Sequence, residues 1–200
     1  MYLLSKPEET AFLVIGLGNP GTEYRQNRHN IGFMVIDQLA QVLSIPLQRV
    51  KFKAITGTGK FEGRRVILAK PQTYMNASGE SVGPLSRYFK VPLNQLMVVH
   101  DDLDIPFGSL RIRPMGGTSG QKGMKSIVEK LGSQDFPRMR IGIGRPPGRM
   151  DPADYVLQNF KNDELATRDE VLDSATAAIK LFILEGLDKA MNTFNGEIRN

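Results

Sequence analysis

Short apolar runs that are typical of buried β-strands alternate along this chain with longer segments that have helical periodicity. We predict strands at residues 11–15, 52–56, 65–69, 96–100, 109–113 and 138–142. Apolar residues spaced three and four positions apart predict helices within residues 31–43, 78–89, 124–131, 171–183 and 187–194. Strands separated by helices are typical of α/β proteins. We therefore expect a three-layer α/β fold in which helices flank a mixed, largely parallel central sheet.

The length and composition of the chain are those of one globular domain. Its 200 residues are 40% hydrophobic and 24% charged, which is enough apolar material for a substantial core. The Pro- and Gly-rich segment at 144–156 is followed by too few helices to form a second domain, so we interpret it as a loop. We expect a single domain over residues 1–200, with residues 1–11 as a flexible N-terminal extension.

Composition also limits the chemistry and the location of the protein. The chain has no Cys, which excludes a thiolate nucleophile and a cysteine-ligated zinc site and suits a reducing compartment. No apolar run approaches the length of a membrane span, and the first residues lack the pattern of a secretion signal. We expect a soluble cytoplasmic protein without membrane association. The formal net charge of +5 favours a polyanionic partner.

The first predicted strand leads into GLGNPG at residues 16–21, which matches the G-x-G-x-x-G pattern of dinucleotide-binding proteins. In such proteins the third glycine opens a helix whose N-terminus meets the pyrophosphate, and an acidic residue ends the following strand. Here the amphipathic helix begins only near Ile31, and Asp37 falls inside that helix. The pattern therefore favours a loop that carries functional side chains at the carboxyl end of a strand over a cofactor cradle.

That loop contains His29, one of the two histidines of the chain, and the other, His100, precedes a cluster of aspartates. A lone histidine is commonly structural, but a carboxylate at the end of a buried strand can fix the tautomer of an imidazole and raise its basicity. A metal site built from His100, Asp101 and Asp104 is a competing interpretation. Asp101 and Asp102 would, however, point to opposite faces if the strand continues through them.

Two further segments carry polar groups suited to a ligand. Asn76 precedes a predicted helix, where it either caps the helix or offers an amide that donates to and accepts from a peptide bond. The segment RIRPMGGTSGQKGMK, residues 111–125, joins four basic residues to four glycines before a helix, which is typical of an anion site. Acidic residues concentrate instead after Asp151. This asymmetry favours a phosphate-rich ligand, either an RNA or a nucleotide.

Five segments together resemble bacterial-type peptidyl-tRNA hydrolases in their order and spacing. They are VIGLGNPGTEYRQNRHNIGF, KPQTYMNASG, VVHDDLDIPFGSLRIR, GGTSGQKGMKSI and RMRIGIGRP. The resemblance extends from Phe12 to Phe194 and implies a single α/β domain with a mixed central sheet. It also implies hydrolysis of the ester that joins a peptide to the terminal ribose of tRNA, by a monomeric enzyme that uses no metal and no cofactor.

The resemblance also implies roles for particular side chains. His29 would be the general base that takes a proton from the attacking water, and Asp101 would hold its imidazole. The residues that would bind the substrate are Asn19, Tyr24, Met75 and Asn76, and those that would engage tRNA phosphate are Arg113 and Arg140. An activated ester needs a positioned water, a base and donors for the developing oxyanion, but no covalent nucleophile.

The chain departs from the family pattern at Gln121-Lys122, where relatives often have His-Asn. A lysine donates hydrogen bonds but cannot accept them, so either one water contact is lost or Gln121 supplies it. Lys122 would then bind the substrate through a tRNA phosphate or the oxyanion. The alternative function is an RNA-binding relative with weakened catalysis, as in the plant chloroplast splicing-factor branch. A third is a metal-dependent phosphohydrolase, which a chelator would inactivate.

Overall fold

A mixed sheet of eight strands forms the centre of the structure, a computed structural model that describes residues 10–197. The strands are β1 (Phe12–Gly16), β2 (Arg49–Lys51), β3 (Ala54–Phe61), β4 (Arg64–Pro71), β5 (Leu96–Asp102), β6 (Ser109–Arg113), β7 (Arg138–Gly142) and β8 (Gly196–Glu197). Their order across the sheet is β2-β3-β4-β1-β5-β7-β6-β8. Pairing is parallel from β4 through β1 and β5 to β7 and antiparallel towards both edges. This confirms the predicted mixed sheet, with the parallel pairs confined to its centre.

Helices cover both faces of the sheet and give the three predicted layers. They are α1 (Ile31–Val42), α2 (Gly79–Tyr88), α3 (Lys122–Leu131), α4 (Pro152–Val156), α5 (Leu165–Glu185) and α6 (Leu187–Phe194). A hydrophobic core lies on each face of the sheet, and successive residues of β1 point into opposite cores. Val14 packs with α1, α5 and α6, whereas Ile15 packs with α2 and α3. Within residues 10–197, no helix is both long and apolar enough to cross a membrane.

The structure moves two predicted boundaries. Ala11, predicted to be part of a flexible extension over residues 1–11, is only 2% exposed and packs in the core, and residues 1–9 lie outside the described part of the chain. The strand predicted at 52–56 begins instead at Ala54, and Phe52 and Lys53 form the turn between β2 and β3, both at positive φ. Such turns favour Asn and Gly, so the sequence lacked the usual signal for this one.

Helix α1 lies against the sheet with its backbone in direct contact, and two glycines make this possible. A methyl group added to Gly16 would lie 2.1 Å from the carbonyl oxygen of Gly32. One added to Gly32 would lie 2.5 Å from Leu17 N and 2.5 Å from Val99 O. The first turn of α1 therefore rests on the ends of β1 and β5. His29, which comes shortly before α1, is held over the carboxyl end of β5.

The substitution Gly32→Ala should destabilise the protein by about 1–3 kcal/mol, because a methyl group that meets backbone atoms cannot be accommodated by rotating a side chain. The free energy of unfolding from urea denaturation measures the effect. Gly117→Ala is the matched control, since a methyl group there has no described heavy atom within 4 Å. The control should change stability by less than about 0.5 kcal/mol. Equal stability of the two variants would contradict the close contact.

Candidate active site

A cleft of about 940 Å³ opens at the carboxyl ends of the central strands, where open α/β sheets bind their ligands. The predicted site residues in its lining are Asn19, His29, Met75, Asn76, Asp101 and Lys122. Three predicted residues, Tyr24, Arg113 and Arg140, lie outside this lining. The structure therefore brings together side chains that are widely separated along the chain, and the parallel strands β1, β4 and β5 carry most of them at their carboxyl ends.

His29 and Asp101 form a hydrogen-bonded pair in the cleft. His29 lies in a 3₁₀ turn, Arg28–Asn30, directly before α1, and its Nδ1 is 2.8 Å from Asp101 Oδ2. An ionised carboxylate only accepts hydrogen bonds, so Nδ1 carries the proton and Nε2 keeps its lone pair in the neutral ring. The side chain of Asp101 is 4% exposed and that of His29 is 16% exposed. The pair is therefore shielded from bulk water but can be reached from the cleft.

Burial and neighbouring charges act on the His29 ring in opposite directions. Desolvation lowers its pKa, but the charge of Asp101 and the hydrogen bond to it raise the pKa, and the net value lies above that of an ordinary histidine. Lys122, the first residue of α3, lowers the pKa in turn. The ring is thus a stronger proton acceptor than a free imidazole, and the ammonium group of Lys122 moderates this effect.

Asn19 is fixed so that it offers a donor to the cleft. Its backbone N–H donates to Asn30 Oδ1, and its backbone carbonyl accepts from Asn30 Nδ2, both at 2.9 Å. Its side-chain Oδ1 accepts from the backbone N–H of Met75, also at 2.9 Å. The side-chain Nδ2 is therefore the group that Asn19 can present to a ligand. Asn30 was not among the predicted site residues, although its place beside His29 in a polar loop was a signal that could have found it.

Met75 and Asn76 lie in a 3₁₀ turn, Met75–Ala77, between β4 and α2. Met75 is buried, whereas Asn76 is exposed and its amide is accessible from the cleft. Helix α2 begins after Ser78, and the described residues show no side-chain hydrogen bond that caps it. The interpretation of Asn76 as a helix cap is therefore wrong. Tyr24 is half-buried in the turn Thr22–Tyr24, and its role in substrate binding stays a prediction.

Gln121 and Lys122 point in different directions at the start of α3. Gln121 Oε1 accepts from the backbone N–H of Met124 at 2.9 Å and so caps the helix. Its Nε2 donates to Asp101 Oδ1 at 3.2 Å and lies 3.1 Å from Met75 Sδ. Both ends of this amide are therefore engaged inside the protein, and whether Gln121 also supplies a water contact stays a prediction. Lys122 is exposed, and it is the member of the pair that is available to a substrate.

Arg28 lies in the same turn as His29, and its side chain contacts α4, the helix that lines part of the cleft. Its Nη2 is 2.7 Å from Glu164 Oε2, and its guanidinium lies over the rings of Tyr155 and Phe160, at 4.7 and 4.9 Å from their centroids. The Arg28 side chain is only 2% exposed. Arg28 was not predicted as part of the site, since a basic residue in a polar loop gives no sign of burial between aromatic rings.

Four arginines share one face of β6 and β7 beside the cleft. Arg111 pairs with Arg140 and Arg113 with Arg138, and the strand alternation places all four on the same side of the sheet. Arg138 is buried and donates to carbonyls of the loop before α3, while Arg140 Nε donates to Asp102 at 2.6 Å. Arg113 is exposed. Arg111, absent from the predicted site, belongs to this face through the strand register.

His100 lies apart from the cleft, although it precedes the aspartate that contacts His29. It is 2% exposed, its Nδ1 is 2.8 Å from the carbonyl oxygen of Asp101, and burial lowers its pKa below the ordinary value. Asp102 and Asp104 form ion pairs with Arg140 and Arg145. Within residues 10–197, no three His, Cys, Asp or Glu side chains are grouped to hold a metal ion. The side chains of His100, Asp101 and Asp104 are therefore not placed so that they could bind one metal ion together.

The sequence matches the family model of peptidyl-tRNA hydrolases over residues 13–200. The chain belongs to the peptidyl-tRNA hydrolase family. The chloroplastic peptidyl-tRNA hydrolase of Arabidopsis thaliana is 48% identical over 192 residues, which cover 96% of this chain and 67% of that protein. The peptidyl-tRNA hydrolase of an Exiguobacterium species is 45% identical over 182 residues, which cover 91% of this chain and 98% of that protein.

The fold also agrees with that of a peptidyl-tRNA hydrolase of known structure. The crystal structure of the enzyme from Acinetobacter baumannii matches with a TM-score of 0.87 at 36% identity, covering 96% of this chain and 99% of that chain. The resemblance noted in the sequence is therefore confirmed, and so is the α/β fold with a mixed central sheet that it implied.

In this member of the peptidyl-tRNA hydrolase family, neutralising the two charged neighbours of His29 should shift its pKa in opposite directions. Asp101→Asn should lower the pKa because the carboxylate raises it, and Lys122→Gln should raise the pKa because the ammonium group lowers it. NMR titration of the imidazole resolves these shifts, since the chain has only two histidines. Shifts of the same sign in both variants would contradict the electrostatic arrangement.

Proposed function

We propose that this protein hydrolyses the ester bond of peptidyl-tRNA with a water molecule that His29 activates. The family to which the chain belongs supports the reaction and the substrate class. The observation that supports the mechanism is the His29–Asp101 pair, in which Nδ1 and Oδ2 are 2.8 Å apart at the wall of the cleft. With Nδ1 held by the carboxylate, Nε2 is the ring nitrogen that acts on water.

The reaction proceeds by direct attack of water. His29 Nε2 takes a proton as the water oxygen bonds to the ester carbonyl carbon, and Asp101 stabilises the imidazolium that forms. Negative charge develops on the carbonyl oxygen, where the amides of Asn19 and Asn76 and the ammonium group of Lys122 donate hydrogen bonds. The carbon–oxygen bond to the ribose then breaks, and the imidazolium returns its proton to the leaving oxygen. The products are tRNA and the carboxylic acid of the peptide, which releases its proton to solvent and becomes a carboxylate.

The arginine face of β6 and β7 would hold the tRNA backbone. Arg113 is exposed and Arg140 keeps its two terminal nitrogens beyond the Nε that donates to Asp102, so both can contact phosphate.

We further infer a monomer that acts in the cytoplasm, where peptidyl-tRNA arises during translation. Light scattering of the purified protein tests the oligomeric state.

Replacing the base should remove hydrolysis and leave binding. In single-turnover cleavage of an N-blocked aminoacyl-tRNA, His29→Ala should lose a factor of about 10²–10⁴ in rate, the usual contribution of a general base. Affinity for deacylated tRNA should stay at the native value, because the phosphate contacts do not involve His29. The native rate should be the same with and without EDTA.

Three results would overturn this proposal. Full activity of His29→Ala would remove His29 from the mechanism. Tight tRNA binding by the native chain without cleavage would favour the RNA-binding relative with weakened catalysis. Loss of native activity in EDTA that an added divalent ion restores would favour a metal-dependent hydrolase.

Loss of a phosphate contact should weaken tRNA binding and reduce its salt dependence. Arg113→Ala and Arg140→Ala should each lower the slope of log affinity against log salt by about one unit. Arg64→Ala is the matched control, since Arg64 is also exposed but starts β4, and the cleft opens at the other, carboxyl ends of the central strands. An equal change of slope in the control would show that the effect reflects net charge instead of a contact.

A further inference from the structure

The Asp101 carboxylate has a partner on each of its two oxygens. Oδ2 is 2.8 Å from His29 Nδ1, and Oδ1 accepts from Gln121 Nε2 at 3.2 Å. The Asp101 side chain is only 4% exposed, so water does not readily replace either partner. A carboxylate held at one oxygen alone can still rotate about its side-chain bonds, whereas one held at both oxygens is fixed in a single orientation.

The orientation of the Gln121 amide is itself determined by its surroundings. Its Oε1 accepts from the backbone N–H of Met124 at 2.9 Å, at the first turn of α3. Exchanging the amide oxygen and nitrogen would place two donors together at Met124 and two acceptors together at Asp101. The helix cap therefore turns the donor of Gln121 towards the carboxylate. Helix α3 is in turn attached to α2, since Ser126 Oγ accepts from the backbone N–H of Gly79 at 2.9 Å.

We infer that Gln121 is a positioning residue, which links the first turn of α3 to Asp101 and keeps the opposite carboxylate oxygen aimed at His29. The inference rests on the proposed function, because it assigns a support to the base named there. On this inference, Gln121 and Lys122 have different roles in this chain. Gln121 acts inward on the carboxylate, and Lys122 remains free to meet the substrate.

Two neutral substitutions separate the helix cap from the contact with Asp101. Gln121→Ser keeps an oxygen that can cap α3 but is too short to reach the carboxylate. Gln121→Met has a similar length and loses both the cap and the donor. Neither variant adds a charge, so a change at His29 cannot arise from a new charge at position 121. Ser126→Ala is the control, since it weakens the attachment of α3 without touching Asp101.

Three readouts are compared in these variants: kcat and KM for an N-blocked aminoacyl-tRNA, the His29 pKa by NMR, and the solvent exchange of the His29 Nδ1 proton. Asp101 and Lys122 are the charged groups that act on His29, and neither is altered. In Gln121→Ser and Gln121→Met, kcat should fall about 10-fold with KM unchanged, as expected for a lost hydrogen bond to a charged group. The His29 pKa should move down towards its ordinary value, and the Nδ1 proton should exchange faster.

The control and the cap variant decide the outcome. Ser126→Ala should leave the His29 pKa and kcat at native values even if it lowers the melting temperature. If Gln121→Ser retains the native His29 pKa, proton exchange and kcat, Gln121 only caps α3 and the inference is overturned. The NMR readouts need no turnover, so an inactive native chain would refute the proposed function while leaving the link from Gln121 to His29 open to measurement.

Discussion

The contact between the backbone of α1 and the ends of β1 and β5 is the constraint on which the site depends. Gly16 and Gly32 leave no room for a methyl group between the two elements. Because α1 rests directly on the sheet, the turn before it lies over the end of β5, and His29 meets Asp101 although they are 72 positions apart. Larger residues here would lift the helix, and with it the imidazole, away from the carboxylate.

The contacts of several polar side chains in the cleft determine whether they can donate or accept a hydrogen bond to a ligand. Asn19 turns its oxygen to the backbone of Met75 and offers its Nδ2, and Lys122 can only donate. His29 Nε2, by contrast, offers a lone pair once Asp101 has engaged Nδ1. An accepting ring nitrogen in the same cleft as side chains that donate suits a reaction in which a water loses a proton and a carbonyl oxygen gains negative charge.

Gln121 and Lys122 differ from the His-Asn pair that is common in the family, but the fold that carries them agrees with that of a peptidyl-tRNA hydrolase of known structure. Gln121 is built into the protein through α3 and Asp101, and Lys122 places a cation at the edge of the cleft. That cation lowers the His29 pKa and Asp101 raises it, and the net pKa stays above the ordinary value. The arginines of β6 and β7 supply positive charge farther out, with Asp102 neutralising part of it.

The sequence by itself determined the α/β class, the strands at β5, β6 and β7, the start of α1 near Ile31 and six of the residues that line the cleft. These follow from local periodicity and from the order of motifs along the chain. Only the tertiary structure decided that Asn76 does not cap α2, that Arg28 is buried between aromatic rings, that Phe52 lies in a turn and that Gln121 contacts Asp101. The turn at Phe52 is local, but its residues lack the Asn or Gly that usually marks such a turn. The burial of Arg28 and the contact of Gln121 with Asp101 depend on partners far away in the chain, and a local pattern does not show which distant groups will meet.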